Sequence, residues 1–379
     1  MTEKDNKNLM IIAGEISGDL HGSSLVRELK KMDKSLNIYG IGGDRMKAEG
    51  MELLYHINKM AFLGFAEVVK HLPFIRRVQH DLIAIIKEKK IRNIVLIDYP
   101  GFNLNFAKKI KALNLNVIYY ISPQVWAWGA GRIKKIKNLV SKMIVVFPFE
   151  EKFYKDSGVD VEFVGHPLLE RINEYNFLPR EELFEKFDLD SSKEILLILP
   201  GSRLHEVERI FPESIKAAEK VAREFNLQIV IAGSPNISEE VYFNLSNKKE
   251  FKIITGYTYE LMKYSKIGII KSGTSTLECA LFTLPMVIVY KTGFITYSIG
   301  KNLVKVKNIG MANIIAGEEV VPELIQHDAN AESIYKEGKR ILSDEGLYNS
   351  IKQKLSNVKD KLGEAGASKK AAGLIYSMM

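Results

Sequence analysis

Two short stretches carry carboxylates where a parallel sheet usually presents its ligand. In "IIAGEISGDLHG", residues 11–22, an apolar strand runs into a glycine turn and then a helix. That layout usually holds phosphate against the positive end of the helix. Here Glu15 and Asp19 put negative charge there instead, with Ser17 between them. In "IVLIDYPGFN", residues 94–103, Asp98 closes an apolar strand just before Tyr99-Pro100-Gly101. A carboxylate at the end of a buried strand is either a helix cap or a general base. If the two strands are neighbours, Asp98 lies near the Glu15 loop.

The second half has different chemistry. "IIKSGTSTLECALFTLPMVIVYKTG", residues 269–293, reads as a strand, the turn Ser272-Gly273-Thr274-Ser275-Thr276, and a helix beginning near Leu277. Small hydroxyl residues and free backbone N–H groups at a helix start make a cradle for a diphosphate. Glu278, expected in that first turn, would repel phosphate but accept hydrogen bonds from two ribose hydroxyls, which suits a nucleotide sugar. The plainer alternative is ordinary capping, with Glu278 complementing the helix dipole. "ILLILPGSRLHEVERIFP", residues 195–212, repeats the geometry one strand-helix unit earlier. Arg203 could reach a phosphate with a charge-assisted fork, with Glu206 and Glu208 on the following helix. Its alternative is a surface pair between Arg203 and Glu206.

Two segments combine apolar and basic residues. "NKMAFLGFAEVVKHLPFIRRVQHDL", residues 58–82, places Phe62, Leu63, Phe65 and Val69 before Pro73, with Arg76 and Arg77 just after it. Pro73 is expected to split it into two helical pieces. Buried, it is a helix pair; exposed, it is an apolar surface ringed by cations that would meet lipid. "YYISPQVWAWGAGRIKKIKN", residues 119–138, holds Trp126 and Trp128 among proline, glycine and basic residues. Such a strand-end loop suits sugar faces, phosphates or a membrane interface.

The whole chain narrows these options. Its 379 residues are too many for one ordinary domain and suggest two. One cysteine, Cys279, excludes an internal disulfide framework and fits a reducing compartment. The charged opening "MTEKDNKNLM" has no apolar signal region, and the longest uncharged run, 112–131, is too polar to span a membrane. A net charge of +8 favours anionic partners: nucleic acid, a phospholipid surface or a phosphorylated substrate. The histidines form no His-x-x-x-His pattern and there is no cysteine pair, so no metal is expected. Gly14, Gly18 and Gly22 are spaced four apart rather than as G-x-G-x-x-G, which disfavours a dinucleotide oxidoreductase.

These groups need strands to place them. Apolar runs at Leu9–Ala13, Asn37–Gly40, Asn93–Ile97, Val117–Ile121, Met143–Phe147 and Val161–Val164 alternate with helical stretches such as Leu20–Met32 and Phe74–Lys89. A charged stretch follows, and the pattern restarts at Ile195–Leu199, Gln228–Ala232, Lys252–Ile254, Ile267–Ile270 and Met286–Tyr290. The fold class is α/β: two Rossmann-like, doubly wound domains facing a cleft, with C-terminal helices. The expected divisions are 1–170, a linker at 171–194, 195–340, and helices over 341–379 that pack back on the first domain or on a partner subunit.

The ordered set "AGEISGDLHG", "GIGGDRM", "FLGFAEVVKHLP", "IDYPGFN", "SPQVWAWGAGRIKKI", "FPFEEKFY", "FVGHPL", "LPGSRLHEVE", "SGTSTLE" and "NIIAGEEVVPELIQ" resembles the lipid-A-disaccharide synthases, inverting glycosyltransferases of the GT-B type. The resemblance implies transfer of 2,3-diacylglucosamine from UDP to the 6-hydroxyl of 2,3-diacylglucosamine 1-phosphate (lipid X), releasing UDP, with no cofactor. It also implies a Gram-negative cell, the cytoplasmic face of the inner membrane with peripheral attachment, no nucleic-acid partner, and a homodimer. Asp98 is then the expected base, with Glu15 as runner-up. Arg203, Glu206, residues 272–276, Glu278 and Asn313 go to the donor. Ser17, Asp19, the 62–77 segment and Trp126 go to the acceptor and its lipid. This chain departs from the family pattern at Gly101, where an acid is usual, at Gln124 for serine, at Gly129 for a basic residue, and at Met311-Ala312 for Leu-Pro. Two rivals are another GT-B enzyme using UDP-N-acetylglucosamine, such as an epimerase or a peptidoglycan-precursor transferase, and a non-enzymatic nucleic-acid binder.

Overall fold

The computed structural model describes residues 7–60, 71–123, 130–246, 250–293 and 308–379. The chain forms two compact units, residues 1–173 with 362–379, and residues 174–361.

The first unit is built on seven parallel strands: β1 (Asn8–Ala13), β2 (Asn37–Gly42), β3 (Glu52–His56), β4 (Asn93–Ile97), β5 (Asn116–Tyr120), β6 (Lys142–Val145) and β7 (Val161–Phe163). Their order across the sheet is β3-β2-β1-β4-β5-β6-β7. The central strands are apolar runs because both faces are covered: all five residues of β4 are buried. On one face Met10, Ile12, Leu96 and Tyr119 pack with Val78 and Leu82 of the Leu72–Glu88 helix, Phe102 and Phe106 of the Pro100–Ile110 helix, and Ile136 of the Ile133–Leu139 helix. On the other face Leu9, Ile11, Val95 and Ile97 pack with Leu25 and Leu29 of the Ile16–Met32 helix and Ala371 and Ile375 of the Ala367–Ser377 helix.

The second unit repeats the plan with six parallel strands: β8 (Glu194–Leu199), β9 (Leu227–Gly233), β10 (Lys252–Thr255), β11 (Ser265–Lys271), β12 (Met286–Tyr290) and β13 (Glu323–Ile325). Their order is β10-β9-β8-β11-β12-β13. Both sheets are therefore doubly wound, and each has a point where the strand order reverses, between β1 and β4 and between β8 and β11.

Several elements differ from the sequence reading. The edge strands β3 and β13 were not among the apolar runs, because each is only half-buried and one is three residues long. Pro73 stands in the first turn of the Leu72–Glu88 helix, where its missing N–H costs nothing. Residues 171–194, read as a linker, carry the short Arg180–Lys186 helix, and from Glu174 onward they belong to the second unit. The buried Glu260 carboxylate accepts from the Tyr175 hydroxyl (3.0 Å) and the Leu178 N–H (3.1 Å). The C-terminal helices divide: Ala331–Ser343 and Glu345–Lys361 belong to the second unit and Ala367–Ser377 to the first. Among the described residues no helix is long and apolar enough to cross a membrane.

Candidate active site

At the first reversal point Ala13 of β1 stands beside Ile97 of β4, so the turns carrying Glu15 and Asp98 leave the sheet side by side. Open α/β sheets bind ligands at such points. Glu15 is the N-cap residue of the Ile16–Met32 helix, with extended backbone, an exposed side chain and no capping bond of its own. Its carboxylate is not committed to the helix end.

Asp98 is held in an unusual conformation. Both Asp98 and Tyr99 have φ of +45°, in the left-handed region that a bulky side chain seldom enters. Each such residue costs on the order of 1–3 kcal/mol and persists only where its surroundings fix it. Here they do. The Tyr119 hydroxyl donates to the Asp98 carbonyl at 2.5 Å, and Asn103 Nδ2 donates to the same oxygen at 2.7 Å. The Asp98 N–H donates to the Tyr120 carbonyl, and the Tyr99 hydroxyl to the Met60 carbonyl. The Tyr99 ring lies where a side chain at Gly14 would be: a Cβ there would come within 2.1 Å of it. The glycine is thus a seat for Tyr99. Gly18 and Gly22 let the helix lie close to the sheet, where added Cβ atoms would meet Ala13 and the Met46 sulfur. The four-residue glycine spacing is a packing device.

Burial of Asp98 raises its carboxyl pKa to about 6, helped by the negative charge of Glu15 and opposed by the Tyr99 N–H. A carboxylate tuned toward neutrality can take a proton at working pH.

Asp19 does not belong with these two. It is buried, and its carboxylate accepts from the N–H groups of Gly43 (2.6 Å), Met46 (3.1 Å) and Arg45 (3.3 Å). It caps the Asp44–Ala48 helix. Ser17 is exposed on the first helical turn.

The second reversal point is cationic. β11 runs into Ser272-Gly273 and the Thr274–Leu281 helix, which starts three residues earlier than Leu277 and leaves Glu278 beyond the first turn. Dipole complementation therefore does not explain Glu278. Its Oε1 accepts from the Tyr259 hydroxyl at 3.2 Å. The turn hydroxyls are mostly spent. Ser272 donates to the Ile309 carbonyl, Ser275 to the Lys271 carbonyl and Thr276 to the Gly273 carbonyl. Only Thr274 is exposed, so the cradle rests on its hydroxyl and on the N–H groups that a helix start leaves without intrahelical partners.

Across from this turn, Gly201 adopts φ of +122° and Arg203 begins the Leu204–Phe225 helix with a 63% exposed side chain. The Arg203–Glu206 pair is stretched to 3.9 Å. Glu206 instead pairs with Lys271 at 2.9 Å and accepts from the Ser202 N–H at 3.2 Å. It positions the loop, and it cannot also attract a phosphate. Lys271 is the residue the sequence reading missed. A lysine directly after the buried run "IGII" had to leave the sheet at this turn.

Asn313 is fully buried. Its Nδ2 donates to the Val321 carbonyl (2.8 Å) and Glu323 (2.7 Å), while its Oδ1 accepts from Val320 and Val321. The side chain is engaged in folding the 310–323 segment. Arg76 and Arg77 are exposed on the Leu72–Glu88 helix. Phe62, Leu63, Phe65, Val69, Trp126, Gln124 and Gly129 lie outside the described residues. Among the described residues no group of three or more His, Cys, Asp or Glu could hold a metal ion.

A family model described as "Lipid-A-disaccharide synthetase" matches residues 9–376. A lipid-A-disaccharide synthase of Geobacter sulfurreducens is 40% identical over 382 residues, covering 100% of this chain and 99% of that one. The synthase of Geobacter metallireducens is 41% identical over 377 residues, 99% and 98% of the two chains. Among solved structures, a UDP-GlcNAc 2-epimerase from Neisseria meningitidis superposes with a TM-score of 0.67 at 11% identity, over 98% of this chain and 100% of that one. That last likeness is one of fold alone.

Proposed function

The chain belongs to the lipid-A-disaccharide synthetase family and is a glycosyltransferase, and from that premise we propose how its residues divide the reaction. The second unit takes UDP-2,3-diacylglucosamine. Glu278 accepts from the ribose hydroxyls, and the N-terminal turn of the 274–281 helix, with Thr274, Arg203 and Lys271, holds the diphosphate. The first unit takes 2,3-diacylglucosamine 1-phosphate. Its 6-hydroxyl gives its proton to the Asp98 carboxylate as its oxygen attacks the donor's anomeric carbon. The bond from that carbon to the UDP oxygen breaks with inversion, and the leaving electron pair goes to the diphosphate, which the cations stabilise. Glu15 accepts a second acceptor hydroxyl and keeps Asp98 basic. The observation that carries this division is Asp98 itself, braced in a strained turn at a reversal point with its pKa raised to about 6.

The same reading puts the protein at the cytoplasmic face of the inner membrane as a peripheral homodimer. The exposed Arg76 and Arg77 support the membrane contact by facing anionic headgroups. The test is direct: incubation with UDP-2,3-diacylglucosamine and lipid X should give UDP and the β-1,6 disaccharide 1-phosphate. UDP-N-acetylglucosamine epimerisation without disaccharide would overturn the reading.

A further inference from the structure

A groove of about 580 Å³ runs between the Pro100–Ile110 and Ile133–Leu139 helices, beginning two residues after Asp98. Pro100 and Gly101 stand at one end, Leu104 and Leu139 line its walls with Asn105 and Asn138, and Lys108, Lys111, Arg132 and Lys135 add the charge. No Asp or Glu lines it. The four cations are exposed, and Lys108, Lys111 and Lys135 make no ion pair with the described carboxylates. Like charges gathered on one groove without acids raise a positive potential that attracts an anion. The spacing 104, 108, 111 keeps one helix face turned to the groove. The groove starts close to the candidate base, since Pro100 and Gly101 directly follow Asp98-Tyr99 in the chain.

We propose that this groove is the subsite for the phosphate monoester of the acceptor sugar, with its cations on the phosphate and Leu104 and Leu139 against the apolar part of the molecule. The proposal rests on the reading that Asp98 receives the acceptor. A sugar whose reacting hydroxyl meets Asp98 places its far substituents along the helix that begins at Pro100. Cations around an exposed site bind a dianion through charge more than shape, so the subsite should weaken as salt shortens the screening length.

The test compares two acceptors in one protein: lipid X and its dephosphorylated counterpart. Wild type should prefer the phosphorylated acceptor by on the order of tenfold or more in kcat/KM, through KM, because losing one charge-assisted contact is worth about that factor. The preference should fall with added salt. In the Lys108→Glu/Lys135→Glu variant the ratio should collapse toward one. Lys111→Glu should lower it too. Its side chain is exposed on the groove, so that variant changes charge without disturbing the core. An unchanged melting temperature will show that each variant folds.

An equal preference in wild type and both variants overturns the proposal. So does a result in which the variants keep acceptor preference but lose binding to phosphatidylglycerol vesicles, which would make the groove a membrane contact. Binding of glucosamine 1-phosphate by calorimetry separates this proposal from the transferase reading. If no acceptor gives disaccharide, the transferase reading fails. Glucosamine 1-phosphate binding that the variants abolish would still support the groove, and wild-type protein that does not bind it would sink the groove.

Discussion

The two reversal points share a strand order and invert its chemistry. At β1/β4 the turns carry Glu15 and Asp98, and the backbone is strained into the left-handed region at two consecutive residues. At β8/β11 the corresponding turns carry Arg203 and Lys271, and the hydroxyls of Ser272, Ser275 and Thr276 are satisfied by backbone carbonyls. One site stores cost in a carboxylate that burial makes reluctant to ionise. The other is a relaxed cradle whose charge is positive and partly neutralised by Glu206. A doubly wound sheet thus fixes where chemistry happens and leaves its sign to the residues just past the strand ends.

The largest expected effect breaks the first site. Asp98→Asn should lose about 10²–10⁴ in kcat, the usual range for removing a general base, while UDP affinity by calorimetry stays as in wild type. Glu15→Gln should lose less. The wild-type rate should climb with pH through about 6, because the protonated carboxyl cannot accept the proton. A profile flat from pH 5 to 8 would take the base role from Asp98.

The next effect breaks the second site. Glu278→Ala should weaken UDP binding roughly 10- to 150-fold, the equivalent of about 1.5–3 kcal/mol for a hydrogen bond to a charged group. Tyr259→Phe should weaken it by only a few-fold, since it removes a neighbour that orients Glu278 rather than the carboxylate itself. If Tyr259→Phe lowers thermal stability and leaves UDP affinity alone, the tyrosine is a packing residue.

The smallest effect sharpens the contrast in strain. With its folded pKa at about 6 against the ordinary 3.8 of the unfolded chain, Asp98 costs nothing below pH 3.8, where both states hold the proton. Between pH 3.8 and 6 the unfolded chain releases its proton first, so stability falls as pH rises, and above 6 the full penalty stands. A gap of that size amounts to at most about 3 kcal/mol. Asp98→Asn should therefore raise stability to urea at pH 8 by up to that amount and change little at pH 4. Half-buried His21 and buried His166 act oppositely. Their pKa values are lowered to about 4 and about 3, chiefly by burial, so they withdraw stability as pH falls below 6.5. Comparing Asp98→Asn with wild type at each pH cancels that background.

Much of this was legible in the residues. Apolar runs ending in glycine turns marked the central strands, and where those runs stopped singled out Glu15, Asp98 and Glu278 as candidates. What the residues did not show has one physical cause. Asp19 and Asn313 read as ligand groups because they are polar and sit beside ligand loops, but backbone groups that the fold brings to them are what they bond. Asp19 is used by N–H groups 24 to 27 residues away, and Asn313 by a turn that folds back on it. Spacing along the chain does not show which backbone donors a carboxylate will meet in the fold. The half-buried edge strands β3 and β13 escaped for a related reason, since one face of each lacks the apolar signal that burial imposes.

The return of residues 362–379 to the first unit has a consequence for how the protein is made. The His166 N–H donates to the Leu362 carbonyl, and Ala371 and Ile375 cover the sheet face shared with Leu25 and Leu29. On the ribosome, the second unit is synthesised as one uninterrupted stretch and can close as soon as it emerges. The first begins earlier and finishes later, waiting with an apolar face bare while 188 residues, 174–361, pass by. Domains made of one run fold in the order they appear. Here the half that carries Asp98 is started first and sealed last, and in the interval it is the half that most needs a chaperone.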